Sequence, residues 1–202
     1  EFLADVIPRW RRLYDAEQVE LSVTPYYHPI LPLLCDLGSA REALPEIRLP
    51  VARFQGVEDA DLQLVKAMEA FHAPFGRRAA GGWPSEGAIS ERALERMGAA
   101  GYRWAASDED VLFASLGEIL PDEQGAKDER RAALLYRPWR HKDGPVLLFR
   151  DHDLSDRIGF AYATRAPEDA ARDFVSRLLH LREILPDDDT PYVVSVILDG
   201  EN

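Results

Sequence analysis

Short runs of β-branched and aromatic residues alternate with amphipathic stretches along the chain. The apolar runs have the length of strands and the amphipathic stretches that of helices, a pattern typical of an α/β sheet or barrel. Six runs are predicted as strands: QVELSV (18–23), GGW (81–83), YRWAAS (102–107), RAALLY (131–136), PVLLFR (145–150) and YVVSVIL (192–198). Three stretches are predicted as helices: 58–72, 90–101 and 167–185.

Two of the predicted helices carry their own start and stop signals. Ser90 stands directly before an apolar-periodic run, and Gly101 suits the position after its last turn. Pro167 suits the first turn of the last helix. That helix has an apolar stripe at helical spacing, which predicts core positions: Phe174, Leu178, Leu181 and Leu185. The polar segment 120–131, with Pro and Gly, is predicted to be a surface loop.

Polar side chains collect where the predicted strands end. Ligands of α/β folds bind at the carboxyl ends of strands, because the loops there converge. Five strands each deliver a histidine or a carboxylate at that end: His28, Glu86, Asp108, Asp151 with His152, and Asp199. The pattern therefore predicts a ligand site at the carboxyl ends of the strands.

Most of these residues also have a structural interpretation. Asp108 suits a cap of the next helix, and a lone histidine such as His28 is often a hydrogen-bonded structural residue. Core packing is the alternative for the neighbouring aromatic residues: Tyr26, Tyr27 and Trp83. Solvated loop positions are the alternative for Asp153 and Asp156. Glu86 and Asp199 are hardest to explain structurally, because each follows an apolar strand and precedes a glycine.

Composition and charge narrow the classes of partner. The chain has 202 residues, 46% hydrophobic and 30% charged, which suits one domain over 1–202. A net charge of −12, without a block of Lys or Arg, argues against nucleic acid or an anionic membrane as the main partner. No apolar run approaches the roughly 20 residues that span a bilayer. A single cysteine, Cys35, and no visible signal peptide favour a cytoplasmic location.

Several common chemistries lack their motifs here. The sequence contains no GxxxxGK[ST], GxGxxG, HExxH, CxxC or GxSxG. The histidines lie far apart, so a metal site would have to be assembled in three dimensions, for example from Asp151, His152 and His28. Carboxylates and aromatic rings are the materials of sugar chemistry, because rings pack on sugars and two acids flank a glycosidic bond. The prediction includes no metal and no cofactor.

Four segments together resemble glycoside hydrolase family 57, especially its amylopullulanase and α-amylase-like members. They are QVELSVTPYYHPILPLL, FGRRAAGGWPSEGAISERALERMGAAGYRWAASDEDVL, LFRDHDLSDRIGFAYA and VVSVILDGEN, which occur in the family's order between about residue 18 and residue 202. The resemblance implies an incomplete (β/α)7 barrel. It also implies action on α-glucans with retention of anomeric configuration.

The resemblance also implies roles for individual residues. Glu86, in WPSE, matches the family's nucleophile, and Asp199, in LDGEN, matches its general acid/base. Candidate substrate contacts are His28, Arg150, Asp151 and His152, with Trp83 and Asp108 beside them.

Two departures from the family pattern concern the ends of the chain. A helix-like segment stands where the family's opening strand is expected, and the helical part that follows the acid/base motif is absent after Asn202. We therefore expect a fragment of a longer protein that lacks the barrel's first strand and its C-terminal helical part. Those missing parts of its own barrel are expected to be required for activity.

Three functions stay open on the sequence alone. The first is an α-glucan hydrolase or transglycosylase that uses two carboxylates. The second is a non-catalytic glucan-binding domain. The third is a metal-dependent polysaccharide deacetylase on a related barrel, with Asp151, His152 and His28 as ligands.

Overall fold

The computed structural model describes residues 2–52, 54–117 and 129–198, which form a mixed α/β fold. The chain divides into two compact units. The first unit comprises residues 1–106 and 140–147, and the second comprises residues 107–139 and 148–202. The prediction of a single catalytic-barrel domain over 1–202 stays a prediction.

The first unit is rich in helices. Its α-helices are α1 (Phe2–Asp15), α2 (Leu31–Cys35), α3 (Ala40–Ala43), α4 (Val57–Phe75) and α5 (Glu91–Ala99), with 3₁₀ turns at Leu37–Ser39 and Ser85–Gly87. Tyr14 of α1 packs edge-on against Phe71 and Phe75 of α4, at centroid distances of 5.9 and 6.0 Å. Arg96 of α5 donates to both carboxylate oxygens of Asp61 on α4 at 2.6 and 2.5 Å. These contacts hold α1 and α5 against α4.

In the part of the chain that the structure describes, four short strands form one sheet in the order β1-β2-β4-β3. They are β1 (Gly81–Gly82), β2 (Trp104–Asp108), β3 (Trp139–Arg140) and β4 (Val146–Arg150). Strands β1 and β2 are parallel, with Gly81 opposite Trp104. A Cβ atom on Gly81 would lie 1.8 Å from the Trp104 ring, so only glycine lets the indole lie against this backbone. The tight packing explains the Gly-Gly pair ahead of Trp83.

The second unit holds the remaining helices. They are α6 (Glu109–Ser115), α7 (Glu129–Leu135), α8 (His152–Asp156) and α9 (Pro167–Ile184), and a π-helical turn, Arg157–Ala161, follows α8. Phe113 and Tyr136 are fully buried in this unit, and Leu135 is nearly so. Arg131 of α7 stacks over the Phe113 ring, with its guanidinium carbon 3.7 Å from the centroid. The second unit therefore has an apolar core of its own.

All three predicted helices are confirmed, and so are three of the six predicted strands. Ser90 caps α5 by accepting a hydrogen bond from the Ala93 N–H at 3.2 Å, and α9 begins at Pro167. Of the predicted stripe on α9, Leu181 is buried and the other three side chains are half-buried. Runs 102–107 and 145–150 form β2 and β4, and GGW contributes the two residues of β1.

One strand prediction is wrong, and two runs form less than a strand. RAALLY forms most of α7, because Ala and Leu favour helix and Ala132 and Leu135 bury one helical face. QVELSV and YVVSVIL contribute only single parallel bridges, at Val23 and Ser195. Most of the predicted 120–131 loop lies outside the described residues, and the (β/α)7 barrel stays a prediction. In the described ranges, no helix has the length and apolarity that a membrane span requires.

Candidate functional site

A tight turn at 25–28 places two tyrosines and His28 beside α4. The His28 N–H donates to the Pro25 carbonyl at 2.9 Å. The Tyr27 N–H donates to the side-chain oxygen of Gln63 at 2.8 Å, and the Tyr26 N–H donates to the Gln63 carbonyl at 3.3 Å. Since Gln63 belongs to α4, the turn is fixed to a long helix.

The two tyrosine rings of this turn are exposed, contrary to a core role. The ring centroids lie 4.7 Å apart in an edge-on arrangement, and Tyr27 is 71% exposed. The ammonium of Lys66 lies 5.7 Å from the Tyr27 centroid and 5.9 Å from that of Tyr26. An exposed aromatic pair beside donor groups is suited to binding a sugar ring, which presents both an apolar face and hydroxyls. These rings were not among the residues predicted for the site.

Glu86 lies in the 3₁₀ turn Ser85–Gly87, with an unusual backbone. Its φ and ψ are 58° and 22°, the left-handed region, and Gly87 follows with φ of 64°. The Gly87 N–H donates to the Pro84 carbonyl at 2.8 Å, which closes the turn. Ser85 and Gly87 are buried, whereas the Glu86 side chain is 73% exposed. The turn therefore presents one carboxylate outward between two buried neighbours.

His28 and Glu86 come together within the first unit. Nε2 of His28 lies 3.9 Å from Oε1 of Glu86, and both side chains are more than half exposed. Such an exposed pair contributes little to stability. Among the described non-glycine residues, positive φ occurs at Glu17, His28, Glu86 and Lys142. Two of these four are the facing pair of candidate residues. Trp83, between β1 and this turn, is half-buried.

Asp108, in the second unit, caps a helix as one interpretation predicted and also pairs with Arg150. Its Oδ1 accepts from the Asp110 N–H at 3.1 Å and so caps α6. Its Oδ2 accepts from Nη1 of Arg150 at 3.1 Å, and Nδ1 of His152 lies 3.5 Å from Oδ1. The capping signal was visible in the sequence, but the partnership with a residue 42 positions away was not.

Arg150 joins Asp108 to a second acid, Asp156. Nη2 of Arg150 donates to Asp156 Oδ1 at 2.5 Å, and Nε2 of His152 lies 3.0 Å from Asp156 Oδ2. Burial alone would lower the pKa of Arg150, but the hydrogen bonds to Asp156 and Asp108 outweigh it and raise that pKa. Asp156 is thus an ion-pair partner at the end of α8, so the alternative of a solvated loop position does not apply to it. The i, i+4 spacing of His152 and Asp156 was the signal in the sequence.

Asp151 is buried, unlike its neighbour His152. It is 1% exposed, accepts from the Leu154 N–H at 2.8 Å, and accepts a short hydrogen bond from the Tyr136 hydroxyl. Burial, and next the negative charge of Asp151, raise the pKa of Tyr136 well above its ordinary value. Asp151 caps α8 in this arrangement, so its predicted sugar contact gains no support. Asp199, the predicted acid/base, lies outside the described residues.

One group among the described residues has metal-ligand spacing: Asp108, Asp110 and His152, whose ligand atoms lie within 4.8 Å of one another. The guanidinium of Arg150 contacts the same Asp108 carboxylate, and its positive charge opposes a cation there. The ligand set considered for a deacetylase used Asp151, whose carboxylate is enclosed by Tyr136 and the start of α8. The geometry therefore does not favour the metal-dependent deacetylase over the other two candidate functions.

Comparison with solved structures shows the fold. The chain superposes on the family 57 branching enzyme of Thermococcus kodakaraensis, crystallised with glucose and additives, with a TM-score of 0.64 and 16% identity, over 96% of this chain and 42% of that one. For the 4-alpha-glucanotransferase of Thermococcus litoralis the TM-score is 0.58 at 18% identity, over 98% and 24%. For the alpha-amylase AmyC of Thermotoga maritima it is 0.53 at 13%, over 78% and 24%.

The chain therefore spans less than half of each of these solved proteins. No curated protein sequence matches it. The model of the family described as Glycosyl hydrolase family 57 matches residues 1–202. The chain belongs to glycosyl hydrolase family 57.

Proposed function

We propose that this chain carries the catalytic carboxylates of a retaining glycoside hydrolase that acts on α-glucans. Glu86 is the nucleophile and Asp199 the general acid/base in this proposal. The observation that carries it is the backbone of Glu86, which holds an exposed carboxylate in a left-handed conformation between buried neighbours. Backbone strain of this kind costs on the order of 1–3 kcal/mol and concentrates at functional sites.

The surroundings of Glu86 support a carbohydrate substrate. His28 faces the carboxylate at 3.9 Å and directly follows the exposed Tyr26–Tyr27 pair in sequence. An imidazole offers a hydrogen-bond partner for a sugar hydroxyl, and the aromatic faces offer apolar surface for the ring. The first unit therefore contains the three kinds of group that a glucan subsite needs: a carboxylate, a polar ring and a flat apolar face.

The family and its solved members support α-glucans as the substrate class. The similar structures include an alpha-amylase, a branching enzyme and a 4-alpha-glucanotransferase. Because the chain spans only part of those proteins, the activity and substrate of the whole protein belong to this proposal. The (β/α)7 barrel, with the barrel parts that complete it, and the amylopullulanase-like specificity belong to it as well.

The mechanism would proceed in two displacements. The Glu86 carboxylate attacks the anomeric carbon while Asp199 gives its proton to the departing glycosidic oxygen, leaving a covalent glycosyl ester on Glu86. Asp199 then accepts a proton from water, or from the hydroxyl of a second glucan, as that oxygen displaces Glu86. This double displacement requires the two carboxyl groups to stand roughly 5–5.5 Å apart.

The nucleophile is tested by Glu86→Gln in the full natural protein. We expect turnover of maltooligosaccharides to fall by several orders of magnitude while binding, measured by calorimetry, survives, because the amide keeps the shape but cannot attack. Glu95→Gln is the matched control, since Glu95 is an exposed glutamate of α5. If Glu86→Gln turns over substrate as fast as Glu95→Gln does, Glu86 is not the nucleophile.

The acid/base is tested by Asp199→Ala with an activated aryl α-glucoside. Such a leaving group departs without a proton, so a glycosyl-enzyme still forms and waits for a nucleophile. We expect added azide to restore turnover and to yield an α-glycosyl azide, identified by NMR. If azide has no effect on a variant with an intact circular dichroism spectrum, Asp199 has another role.

Product analysis distinguishes hydrolysis from transglycosylation. Maltooligosaccharides that only shorten indicate water as the acceptor, whereas products longer than the substrate indicate a second glucan. Parallel assays with purely α-1,4-linked and with α-1,6-branched glucans test the amylopullulanase-like specificity.

A further inference from the structure

The segment 193–197 of the second unit has an unusual set of hydrogen-bond partners. A strand in a sheet would be registered by a ladder of backbone bonds. Here the backbone bonds are the Val193 N–H to the Tyr136 carbonyl at 2.7 Å and the Asp151 N–H to the Ser195 carbonyl at 2.8 Å. The second of these belongs to a single parallel bridge between Ser195 and Arg150. These backbone bonds register the segment as far as Ser195, and among the described residues no backbone group is bonded to Ile197.

Side chains hold both backbone polar groups of Ile197. Nε of Arg150 donates to the Ile197 carbonyl at 2.9 Å, and the Ile197 N–H donates to the Ser155 hydroxyl at 3.1 Å. We call this pair of contacts the Ile197 clamp. Ile197 stands two residues before Asp199 in the sequence. The position of Ile197 therefore sets the point from which the chain continues to Asp199, with one residue between them.

Both side chains of the clamp are themselves fixed. Ser155 is fully buried, and its hydroxyl donates to the Asp151 carbonyl at 2.6 Å while accepting from Ile197. The guanidinium of Arg150 is 16% exposed and also donates to Asp108 and Asp156. Each of its three nitrogens thus donates to an acceptor of the protein. This geometry suits a positioning residue better than a sugar contact.

We propose that Arg150 and Ser155 are positioning residues that set the register of the segment leading to Asp199 through the Ile197 clamp. The proposal rests on the proposed function, because it takes Asp199 as the general acid. A general acid must stand within hydrogen-bond reach of the departing oxygen. Misplacement by about 1 Å can cost on the order of 100-fold in rate. Loosening the clamp should therefore weaken proton donation and leave the nucleophilic attack intact.

The experiment compares two leaving groups in the full natural protein carrying Ser155→Ala. For a maltooligosaccharide, whose departing oxygen needs a proton, we expect kcat/KM to fall about 10- to 100-fold. For an activated dinitrophenyl α-maltoside, which needs none, we expect a change within about twofold. The matched control is Ser176→Ala, which removes a similar hydroxyl-to-carbonyl bond on the exposed face of α9 and should affect neither substrate.

A second variant, Arg150→Lys, tests the other half of the clamp. It keeps the positive charge beside Asp108 and Asp156 but cannot reproduce the fork of three donating nitrogens. The same selective loss on the maltooligosaccharide supports the proposal. Equal losses on both substrates, or a rise in KM alone, would overturn it in favour of general destabilisation or a direct sugar contact.

Asp199→Ala separates this proposal from the proposed function. If Asp199 is the acid, that variant shows the selective loss more strongly than either clamp variant. If Asp199→Ala shows it and both clamp variants lack it, the clamp has no positioning role and the proposed function stands. If Asp199→Ala itself lacks the selective loss, the acid/base assignment fails, and the clamp proposal fails with it.

Discussion

Glu86 and the acids around Arg150 are fixed in different ways. The backbone of a strained turn fixes Glu86, whereas hydrogen bonds from neighbouring side chains fix the acids around Arg150. In the turn, Pro84 and Gly87 close the loop and Glu86 itself adopts positive φ, with one facing side chain at 3.9 Å. Around Arg150, two carboxylates accept from one guanidinium, and the fully buried Ser155 and nearly buried Asp151 complete the hydrogen bonding.

The difference suits two different chemical tasks. A nucleophile must be an exposed carboxylate at a fixed point, and a stiff turn provides that without occupying the carboxylate with donors. The proposed general acid, Asp199, follows a segment of the second unit whose Ile197 is held by side-chain hydrogen bonds from Arg150 and to Ser155. The turn should therefore be sensitive to backbone substitutions, and the Arg150 region to the removal of hydroxyls.

The largest effect is expected from Gly81→Ala in β1, the strand that leads into the turn of Glu86. The new Cβ would lie 1.8 Å from the Trp104 ring, so either the indole or strand β1 must move. Overpacking of this kind typically costs up to about 3 kcal/mol, and we expect the upper end of that range. Urea unfolding followed by tryptophan fluorescence measures it.

Gly98→Ala is the matched control for that substitution. Gly98 lies within α5, and the nearest atom to an added Cβ is 3.6 Å away, which is an ordinary contact. Because alanine is a better helix former than glycine, we expect a gain of about 0.5–1 kcal/mol. Equal destabilisation by both substitutions would show that the close approach of Trp104 is not what Gly81 serves.

Tyr136→Phe should produce the next largest effect, in the Arg150 region. It removes the hydroxyl that donates to the buried carboxylate of Asp151. We expect a loss of about 2–3 kcal/mol, since a buried charged acceptor gives up a donor. Tyr192→Phe is the control, because its hydroxyl donates to exposed Asp188 at 3.3 Å. A Tyr136→Phe protein as stable as that control would mean that Asp151 is not held by this bond.

Glu86→Gly should relieve the backbone strain at the proposed nucleophile. A left-handed conformation costs a non-glycine residue roughly 1–2 kcal/mol, and the entropy cost of glycine offsets part of the gain. We expect the free energy of unfolding to rise by about 1 kcal/mol. Glu17→Gly, with φ of 55° in an exposed turn, should stabilise similarly. Turnover should be lost only in Glu86→Gly, and loss of stability there would contradict the strain argument.

Local signals in the sequence were sufficient for the three helices that were predicted, α4, α5 and α9. Ser90 and Pro167 mark where α5 and α9 begin, because capping and first-turn preferences act within a few residues. RAALLY carries no such marker, and a short apolar run does not distinguish a strand from a buried helix. The pairing of 192–198 depends on side chains more than 40 positions away, Arg150 and Ser155, which no local pattern reveals.

The distinction between local signals and contacts to distant positions also applies to the candidate site. Glu86 stood out because its setting in WPSEG is local, and the positive φ of the turn is consistent with the glycine that follows. Asp151 was selected as a ligand residue because it ends a strand, but its burial depends on Tyr136, which the sequence analysis assigned to a strand. Tyr27 was considered for the core, yet a turn fixed to Gln63 leaves it exposed.

The smallest effect is expected at Asp173 of α9. Here the contribution of a charged carboxylate to the stability of the second unit can be tested by changing the pH. Hydrogen bonds from Arg177 first, and then from Tyr162, lower the pKa of Asp173 from 3.8 to about 2. The stabilisation from a depressed carboxyl pKa is complete above the unfolded value and disappears as pH falls through the folded one. The wild type should therefore lose stability between about pH 4 and 2 more steeply than Asp173→Asn does. Urea midpoints across that range measure the slope, with Asp187→Asn, in an exposed bend, as the control. Identical slopes for wild type and Asp173→Asn would show that the charges of α9 do not stabilise this unit.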